Sequence, residues 1–495
     1  MQSKRKIKPI LLAGILLLIT LTVVSAIKRK VKLKQPTIHS IVVNAPAKED
    51  DSYYKIPDNI NYNGKDEYNK AGLLSLSTET GHNFYVVNDT VNNTGFLYAE
   101  VKADNYNPTD KVRAPLNIAL VIDRSGSMDG DKLAYVKKAA DFLIDKLNEQ
   151  DQLSIVVYET HVGVIQKSEP VRNKQYLHTL IANVVTGGGT DLGGGMEAGL
   201  EQVKSTYKSG YVNRVLLLSD GLANEGIIDP LQLKAIVKKW FNQESISIST
   251  FGVGDDYNEN LMTSLAENGG GNYYYIKDPK QIPTIFEKEV SGLLTLVAKQ
   301  ATLKIKLPSS LMVQRVYGGN YEMDQNELTV NLKDIFANET KAILIKFKIN
   351  SGTNTDLALP TILNFEDATQ NSAKKEIRNL NTIRPIDNLK DYLSNFSERV
   401  MQQCTMFETN DLLEKTMKAA DEGDYDKARK LGLTTKGYFD SNTSKVRKNN
   451  EIIMQDSVLS NYNVNLKDIE QKNEMEIKSL QKMSKSSNYT IRTKK

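Results

Sequence analysis

Residues 116–127, Leu-Asn-Ile-Ala-Leu-Val-Ile-Asp-Arg-Ser-Gly-Ser, decide how this chain folds. The apolar run over residues 116–122 is nearly continuous, as in a central parallel strand that helices cover on both faces. Asp123, Ser125 and Ser127 then alternate along a turn whose glycine allows the backbone to fold closely. Their carboxylate and hydroxyl oxygens are hard ligands, which suit Mg²⁺, Mn²⁺ or Ca²⁺ better than zinc or copper. On these residues alone, an ordinary Ser/Gly turn that ends a strand is the alternative.

Segments with the pattern of strands and of helices alternate from residue 113 to residue 296. The segment over residues 132–147 shows helical spacing, because Leu133, Val136 and Ala140 fall on one face. Such alternation favours an open, doubly wound and mainly parallel sheet with helices on both sides. We therefore predict an α/β domain over residues 113–296. Its strands are expected at residues 116–122, 153–158, 162–165, 214–218, 246–251 and 273–276.

Two further loops should emerge at the edge of the sheet that holds Asp123. One reads Thr-Gly-Gly-Gly-Thr-Asp over residues 186–191 and leads into a helix, and the other reads Ser-Asp-Gly over residues 219–221. Ligands in open α/β sheets gather at the carboxyl ends of the strands. Thr190 therefore offers a third hydroxyl, and Asp220 offers a second carboxylate, to the same cation.

These three motifs, Asp-x-Ser-x-Ser after a buried strand, Gly-Gly-Thr before a helix and Ser-Asp-Gly after a later strand, together resemble the von Willebrand factor A (VWA) domain. In that family they form the metal-ion-dependent adhesion site. The hydroxyls would bind the ion directly, and the aspartates would act partly through water. The resemblance implies these metal ligands: Asp123, Ser125, Ser127, Thr190 and Asp220.

The predicted ligand set also indicates how the ion would bind a partner. Two carboxylates roughly balance a divalent charge, and the neutral hydroxyls leave the ion electrophilic. One coordination position would stay open for water or for an Asp or Glu of a partner. Mg²⁺ suits such a site because it keeps bound waters and requires near-octahedral geometry, with Mn²⁺ and Ca²⁺ as alternatives.

Catalytic groups are not recognisable around these motifs. A general base for metal-assisted hydrolysis would be needed near the ion, yet the three loops contain no histidine. The glycines at residues 187–189 are not followed by the Lys-Ser/Thr of a phosphate-binding loop. We therefore expect no catalytic residues and a binding protein rather than an enzyme. The histidines are scattered along the chain: His39, His82, His161 and His178.

The segments on either side of the α/β domain have other patterns. Residues 81–112 and 297–385 show the alternation of strands and are predicted to form one β-sandwich into which the α/β domain is inserted. Residues 386–483 are predicted to be helical. The polar residues 35–80 predict a tether, and the basic residues 484–495 predict a disordered tail.

The N-terminal residues 1–34 have the pattern of a membrane-targeting segment. A mostly apolar stretch over residues 9–27 is long enough to span a bilayer as a helix. Basic residues flank it on both sides, so the positive-inside rule leaves its orientation open. We predict an uncleaved signal anchor, a transmembrane helix, with the rest of the protein outside the cytoplasm. Cleavage near Ala26, followed by secretion, is the alternative.

Composition narrows the class of partner. The net charge is only +4 over 495 residues, and the basic residues cluster at the two ends, which argues against nucleic-acid binding. Cys404 is the single cysteine, so intramolecular disulfides and thiolate zinc sites are excluded.

The motifs and the composition predict a cell-adhesion or interaction protein that depends on a divalent cation. Its ion would capture an acidic side chain of a protein partner. An alternative is an assembly or scaffold factor of a multiprotein machine, which would use the same metal site. A metal-assisted hydrolase is a third candidate.

Overall fold

The computed structural model of the chain describes residues 53–62, 67–108, 113–370 and 373–494. The predicted anchor at residues 1–34 and most of the predicted tether lie outside these ranges. Within the described part of the chain, no helix is both long enough and apolar enough to cross a membrane.

The strands that precede the α/β domain are β1 (Asn69–Ala71), β2 (Leu74–Thr80), β3 (Phe84–Val86) and β4 (Thr94–Ala103). The prediction of a tether over residues 35–80 is wrong where β1 and β2 lie, because these strands pair as an antiparallel hairpin. Leu74 and Leu76 are both fully buried in the core of the β-sandwich. Burying two leucine side chains contributes about 3–6 kcal/mol relative to leaving them in water, which a polar tether could not gain.

The strands of the α/β domain are β5 (Leu116–Asp123), β6 (Gln152–Tyr158), β7 (Val162–Pro170), β8 (Val212–Ser219), β9 (Ser247–Val253) and β10 (Gly270–Ile276). Its helices are α1 (Asp131–Lys146), α2 (Lys174–Ala182), α3 (Leu192–Ser205), α4 (Pro230–Glu244), α5 (Glu259–Asn268) and α6 (Ile282–Leu293). The strands pair in the order β10-β9-β8-β5-β6-β7. β7 runs antiparallel to β6, and the others run parallel to their neighbours. The predicted mainly parallel α/β sheet is confirmed.

Helices cover both faces of this sheet, so every residue of β5 and of β8 is buried. Successive side chains of a strand point to opposite faces. Along β5, Ile118, Leu120 and Ile122 accordingly pack into one apolar core, while Ala119 and Val121 pack into a second. Since neither face of these strands meets water, their sequence is apolar throughout instead of alternating.

The strands that follow the α/β domain are β11 (Leu296–Lys306), β12 (Leu311–Tyr317), β13 (Tyr321–Asp324), β14 (Glu327–Phe336), β15 (Thr340–Ile349), β16 (Leu357–Asp367) and β17 (Ala373–Ile386). One sheet has the order β1-β2-β4-β15-β12, and a second has the order β13-β14-β11-β16-β17-β3. β4 pairs antiparallel with β15. In the chain, the α/β domain lies between β4 of the first sheet and β11 of the second sheet. β3, although adjacent to β4 in sequence, pairs with β17 of the second sheet.

The helices of the C-terminal region are α7 (Leu389–Leu393), α8 (Glu398–Asp421), α9 (Tyr425–Thr443), α10 (Asn450–Lys467) and α11 (Glu474–Thr493). α8 packs against the β-sandwich through a buried ion pair. Lys346 Nζ of β15 lies 3.0 Å from Glu408 Oε1 of α8, and the two side chains are 4% and 0% exposed.

The last helix, α11, contradicts the predicted disordered tail at residues 484–495, because it continues to Thr493. Tyr489 is buried, and its ring packs edge to face on Tyr273 of β10, with the ring centroids 5.7 Å apart. Lys482 is also buried and donates a hydrogen bond to a backbone carbonyl of the α/β domain. Contacts with a domain that is distant in sequence therefore hold this polar segment in a helix.

Candidate metal centre

The sequence motifs meet at the edge of the sheet where β5 and β8 end. These strands are in parallel register, with Ile122 opposite Leu218, so the residues that follow them are neighbours. Ser219 Oγ donates a hydrogen bond of 2.8 Å to Asp123 Oδ2. Asp123 and Asp220 are both fully buried. Two loops that are far apart in sequence are therefore joined at one point.

The loop after β5 folds back on Asp123. Ser125 N donates to Asp123 Oδ1 over 2.9 Å, and a single 3₁₀ turn follows at Gly126–Met128. The side chain of Met128 is buried and anchors this turn. As a result, Ser125 Oγ and Ser127 Oγ lie 3.1 Å apart. The alternating hydroxyls of the motif thus face the same point in space.

The loop after β8 closes on the first loop from the other side. Ser127 Oγ donates to Asp220 Oδ1 over 2.8 Å. Gly221 lies between the hydroxyls of two loops, since a Cβ there would be 3.3 Å from Thr190 Oγ1 and 3.7 Å from Ser127 Oγ. The structure thus brings together all the residues that the sequence predicted for the site: Asp123, Ser125, Ser127, Thr190 and Asp220.

Glu159, directly after β6, fixes the glycine-rich loop and was not predicted from the sequence. Its Oε2 accepts a hydrogen bond from Gly188 N over 3.2 Å, and its backbone O accepts one from Asp191 N over 2.7 Å. The hydrogen bond from the backbone N–H of Thr160, with smaller contributions from the His161 side chain and the backbone N–H of Gly188, outweighs burial and lowers the pKa of Glu159 to about 2. The carboxylate therefore stays charged at neutral pH and holds the loop in place.

Thr190 is clamped by Asn224, another residue that was not predicted. Thr190 N donates to Asn224 Oδ1 over 2.8 Å, and Asn224 N donates back to Thr190 O over 3.2 Å. These two bonds fix the backbone that carries the Thr190 hydroxyl. In the sequence, an Asn shortly after Asp220 and a glycine is only a general signal for a turn, so it gives no indication of this contact.

Charge at the site is dominated by the two buried aspartates. Burial raises the pKa of Asp123, and the charge of Asp220 acts in the same direction, while hydrogen bonds from Ser125 and Ser219 oppose the rise. Lys132 of α1, also not predicted, approaches Asp220 with its Nζ 2.5 Å from Oδ2. A cation placed between the carboxylates would favour their ionised forms.

The distances between the oxygens fit a small, hard cation. In an octahedral complex with Mg–O bonds of about 2.0–2.1 Å, neighbouring ligand oxygens lie about 2.9 Å apart. Ser125 Oγ and Ser127 Oγ, which would both bind the ion directly, lie 3.1 Å apart, close to that value. The donors at this point are hydroxyl and carboxylate oxygens, which hard cations prefer. The residues present therefore fit a divalent cation.

The histidines within the described ranges lie away from these oxygens. His82 packs against aromatic rings of the C-terminal region. His178 lies 2.6 Å from Asp141 on α1. His161 is 85% exposed and lies 3.2 Å from Glu159, at the rim of the glycine-rich loop. The fourth histidine falls outside the described residues.

Residues 117–288 match the family model of the von Willebrand factor type A domain. The matched residues include all of β5 except its first residue, all of β8, and the loops that carry all the predicted ligands. The chain therefore contains a VWA domain, and domains of this type commonly mediate protein interactions.

Relatives share this domain over part of their length. The chain is 32% identical over 243 residues to the uncharacterized protein YfbK of Escherichia coli. The match covers 47% of this chain and 42% of YfbK. It is 27% identical over 260 residues to the uncharacterized protein sll0103 of Synechocystis, and this match covers 50% of this chain and 60% of that protein. The chain thus spans about half the length of these relatives.

A solved structure shares the fold beyond the VWA domain. A von Willebrand factor type A protein from Catenulispora acidiphila superposes with a TM-score of 0.64 and 14% sequence identity. The match covers 79% of this chain and 92% of that one, so it includes more than the α/β sheet. At this identity the likeness shows the fold alone.

Proposed function

We propose that this protein binds other proteins in a manner that depends on a divalent cation, which captures an Asp or Glu side chain of the partner. The observation that carries the proposal is the convergence of hydroxyl and carboxylate oxygens from separate loops at the end of the sheet. Ser127 is exposed, so this point opens to solvent. The residues proposed to hold the ion are Asp123, Ser125, Ser127, Thr190 and Asp220.

Each residue has a distinct part in this proposal. The hydroxyls of Ser125, Ser127 and Thr190 would bind the ion directly, and the two aspartates would supply charge and orient bound water. When bound, the ion supplies an electrophilic position for one carboxylate oxygen of the partner. Mg²⁺ suits a site whose aspartates act through bound water, because this ion keeps several of its waters, with Mn²⁺ and Ca²⁺ as alternatives.

Exposed apolar side chains on the segments that flank the site loops in sequence favour a protein as the partner. Val185 precedes the glycine-rich loop, and the others belong to the segment that follows Asp220. Contiguous exposed apolar patches on a protein mark sites of interaction. These side chains are Val185 (64% exposed), Leu222 (56%), Ile228 (56%) and Leu231 (75%).

We also propose that the N-terminal segment over residues 1–34 holds the protein at a membrane, with the VWA domain outside the cytoplasm. The support is the apolar stretch over residues 9–27 and its basic flanks. Protease treatment of intact cells tests the orientation. Digestion of the VWA domain would support the proposal, and its protection would contradict it.

The binding function is tested by capturing partners from cell-surface protein on the purified chain, with Mg²⁺ or with EDTA. The wild type should retain partners in Mg²⁺ and release them in EDTA, and Asp123→Ala and Thr190→Ala should lose the same partners. Asp131→Ala is the matched control, because Asp131 is an exposed acid on α1 outside the site. Recovery of the same partners by every variant would contradict the proposal.

A further inference from the structure

Lys132, in the first turn of α1, reaches the proposed metal centre. Its Nζ donates to Asp220 Oδ2 over 2.5 Å and to Ser127 O over 3.2 Å. Asp220 therefore has a partner on each oxygen, since its Oδ1 accepts from Ser127 Oγ. The side chain of Lys132 is 24% exposed and that of Asp220 is 0% exposed, so salt screens this ion pair only weakly.

Two glycines in the left-handed region of backbone conformation lie beside Lys132, one in sequence and one in space. Gly130 directly precedes α1 with a φ of +76°, which lets the helix begin beside the first ligand-bearing loop. Gly254, directly after β9, has the same φ of +76°, and a Cβ there would lie 3.7 Å from Lys132 Nζ. Lys132 is thus held between the loops after β8 and β9.

We propose that Lys132 is a fixed counter-charge that weakens the binding of the divalent ion and strengthens the capture of a carboxylate by the bound ion. This inference rests on the proposed function and deepens it, because it names the residue that sets the charge of the same site.

The charges of the site explain both effects. Asp123 and Asp220 carry two negative charges when ionised, and the ammonium group of Lys132 cancels one of them. A divalent ion then leaves the site with a net positive charge, which a partner's carboxylate neutralises. Without the ammonium group, the loaded site would be neutral and would attract a carboxylate less.

The contacts of Asp220 allow the lysine to stay in place beside the ion. Nζ of Lys132 donates to Oδ2 of Asp220, whereas Oγ of Ser127 donates to Oδ1 of Asp220. The proposed ion lies on the Oδ1 side, among the hydroxyls, so it does not compete with the ammonium group for the same oxygen.

The inference is tested with Mn²⁺ and sodium acetate as probes. Binding of Mn²⁺ is followed by the electron paramagnetic resonance of the free ion. Capture of a carboxylate is followed by the loss of water-proton relaxation enhancement as acetate displaces a bound water. The proteins compared are the wild type, Lys132→Met, Lys132→Gln and Lys138→Met. Lys138 is the control because it is exposed on the same helix and lies over the ring of Tyr135.

Both Lys132 variants should bind Mn²⁺ about tenfold more tightly and require about tenfold more acetate than the wild type, and Lys138→Met should match the wild type. Unchanged or weaker binding of Mn²⁺ by the Lys132 variants would overturn the inference, as would tighter binding with unchanged capture of acetate. In these cases the wild type still binds Mn²⁺ and the proposed function stands. A wild type that binds no Mn²⁺ would instead overturn the proposed function, and the inference with it.

Discussion

Tyr489 packs edge to face on Tyr273, with the ring centroids 5.7 Å apart, and so joins the last helix of the chain to the edge of the VWA sheet. Tyr489 is only 6% exposed, and Tyr273 N donates to its hydroxyl over 3.4 Å. One turn further along α11, Arg492 pairs with Glu267 of α5. α11 is therefore packed on the VWA domain, although 216 residues separate the two tyrosines.

Tyr489→Ala should lower the free energy of unfolding by about 3 kcal/mol, because it leaves a cavity between α11 and β10. Tyr176→Ala is the control, since Tyr176 is 51% exposed on α2, and it should change stability by less than about 0.5 kcal/mol. Urea denaturation measures both values. Equal effects of the two substitutions would show that α11 is not held through Tyr489.

Glu259, at the start of α5, holds α11 through Lys482 and Lys485 at 2.8 Å and 2.6 Å. Burial raises the pKa of Glu259, but the charges of Lys485 and Lys482 and their hydrogen bonds outweigh it. They hold the pKa at about 2, below the ordinary 4.5. Because the pKa is depressed in the folded state, the stabilisation is fully present above pH 4.5 and is lost as the pH falls towards 2.

Glu259→Gln removes this stabilisation. At pH 7 the variant should be less stable than the wild type by about 3 kcal/mol, and the difference should shrink towards zero as the pH falls to about 2. The measurement is the free energy of unfolding of both proteins at several pH values in this range. A difference that does not change with pH would contradict the assignment.

The ion pair between Lys346 and Glu408 provides a third prediction. Glu408→Ala leaves the ammonium group of Lys346 buried without this carboxylate, which should cost about 3–5 kcal/mol. Lys304 and Glu327 form a matched pair at 2.7 Å, but their side chains are 43% and 46% exposed. Glu327→Ala should therefore cost less than about 1 kcal/mol. Thermal unfolding of Glu408→Ala and Glu327→Ala measures the stability that each variant loses. Similar losses of stability would contradict the prediction that the buried pair of Lys346 and Glu408 contributes more than the exposed pair.

The residues of the candidate site could be predicted because each lies directly after a strand or on a loop at one edge of a parallel sheet. The residues that support them could not. Asn224 acts by binding the backbone of Thr190, and Lys132 acts by approaching Asp220 from the start of a helix. Such contacts depend on how separate loops meet, which no local pattern of residues specifies.

Contacts between segments that are distant in sequence also could not be predicted for the fold. Apolar runs and helical spacing predicted the VWA sheet, since its strands are buried on both faces. Leu74 and Leu76 lie in a mostly polar segment, so two apolar side chains did not stand out against it. Tyr489 is buried by a strand that is distant in the chain, and its polar neighbours gave no indication of that contact.

Gly188→Ala should weaken the binding of Mg²⁺. A Cβ at this position would lie 2.7 Å from Thr160 Oγ1 and 3.0 Å from Glu159 Oε2, so these side chains, which hold the glycine-rich loop through Gly189 N and Gly188 N, or the loop itself must shift. A strain of about 1–3 kcal/mol corresponds to a loss of affinity of between about fivefold and about a hundredfold. Gly210→Ala is the control, because no atom lies within 4 Å of a Cβ there. Calorimetric titration with MgCl₂ checks the prediction, and equal affinities would refute it.

The most direct test of the metal centre is an anomalous difference map from crystals of the protein grown with MnCl₂. We expect a peak within bonding distance of the hydroxyl oxygens of Ser125, Ser127 and Thr190, and we expect its loss in crystals of Thr190→Ala. Manganese peaks elsewhere on the protein, with none among these three hydroxyls, would contradict the proposed metal centre.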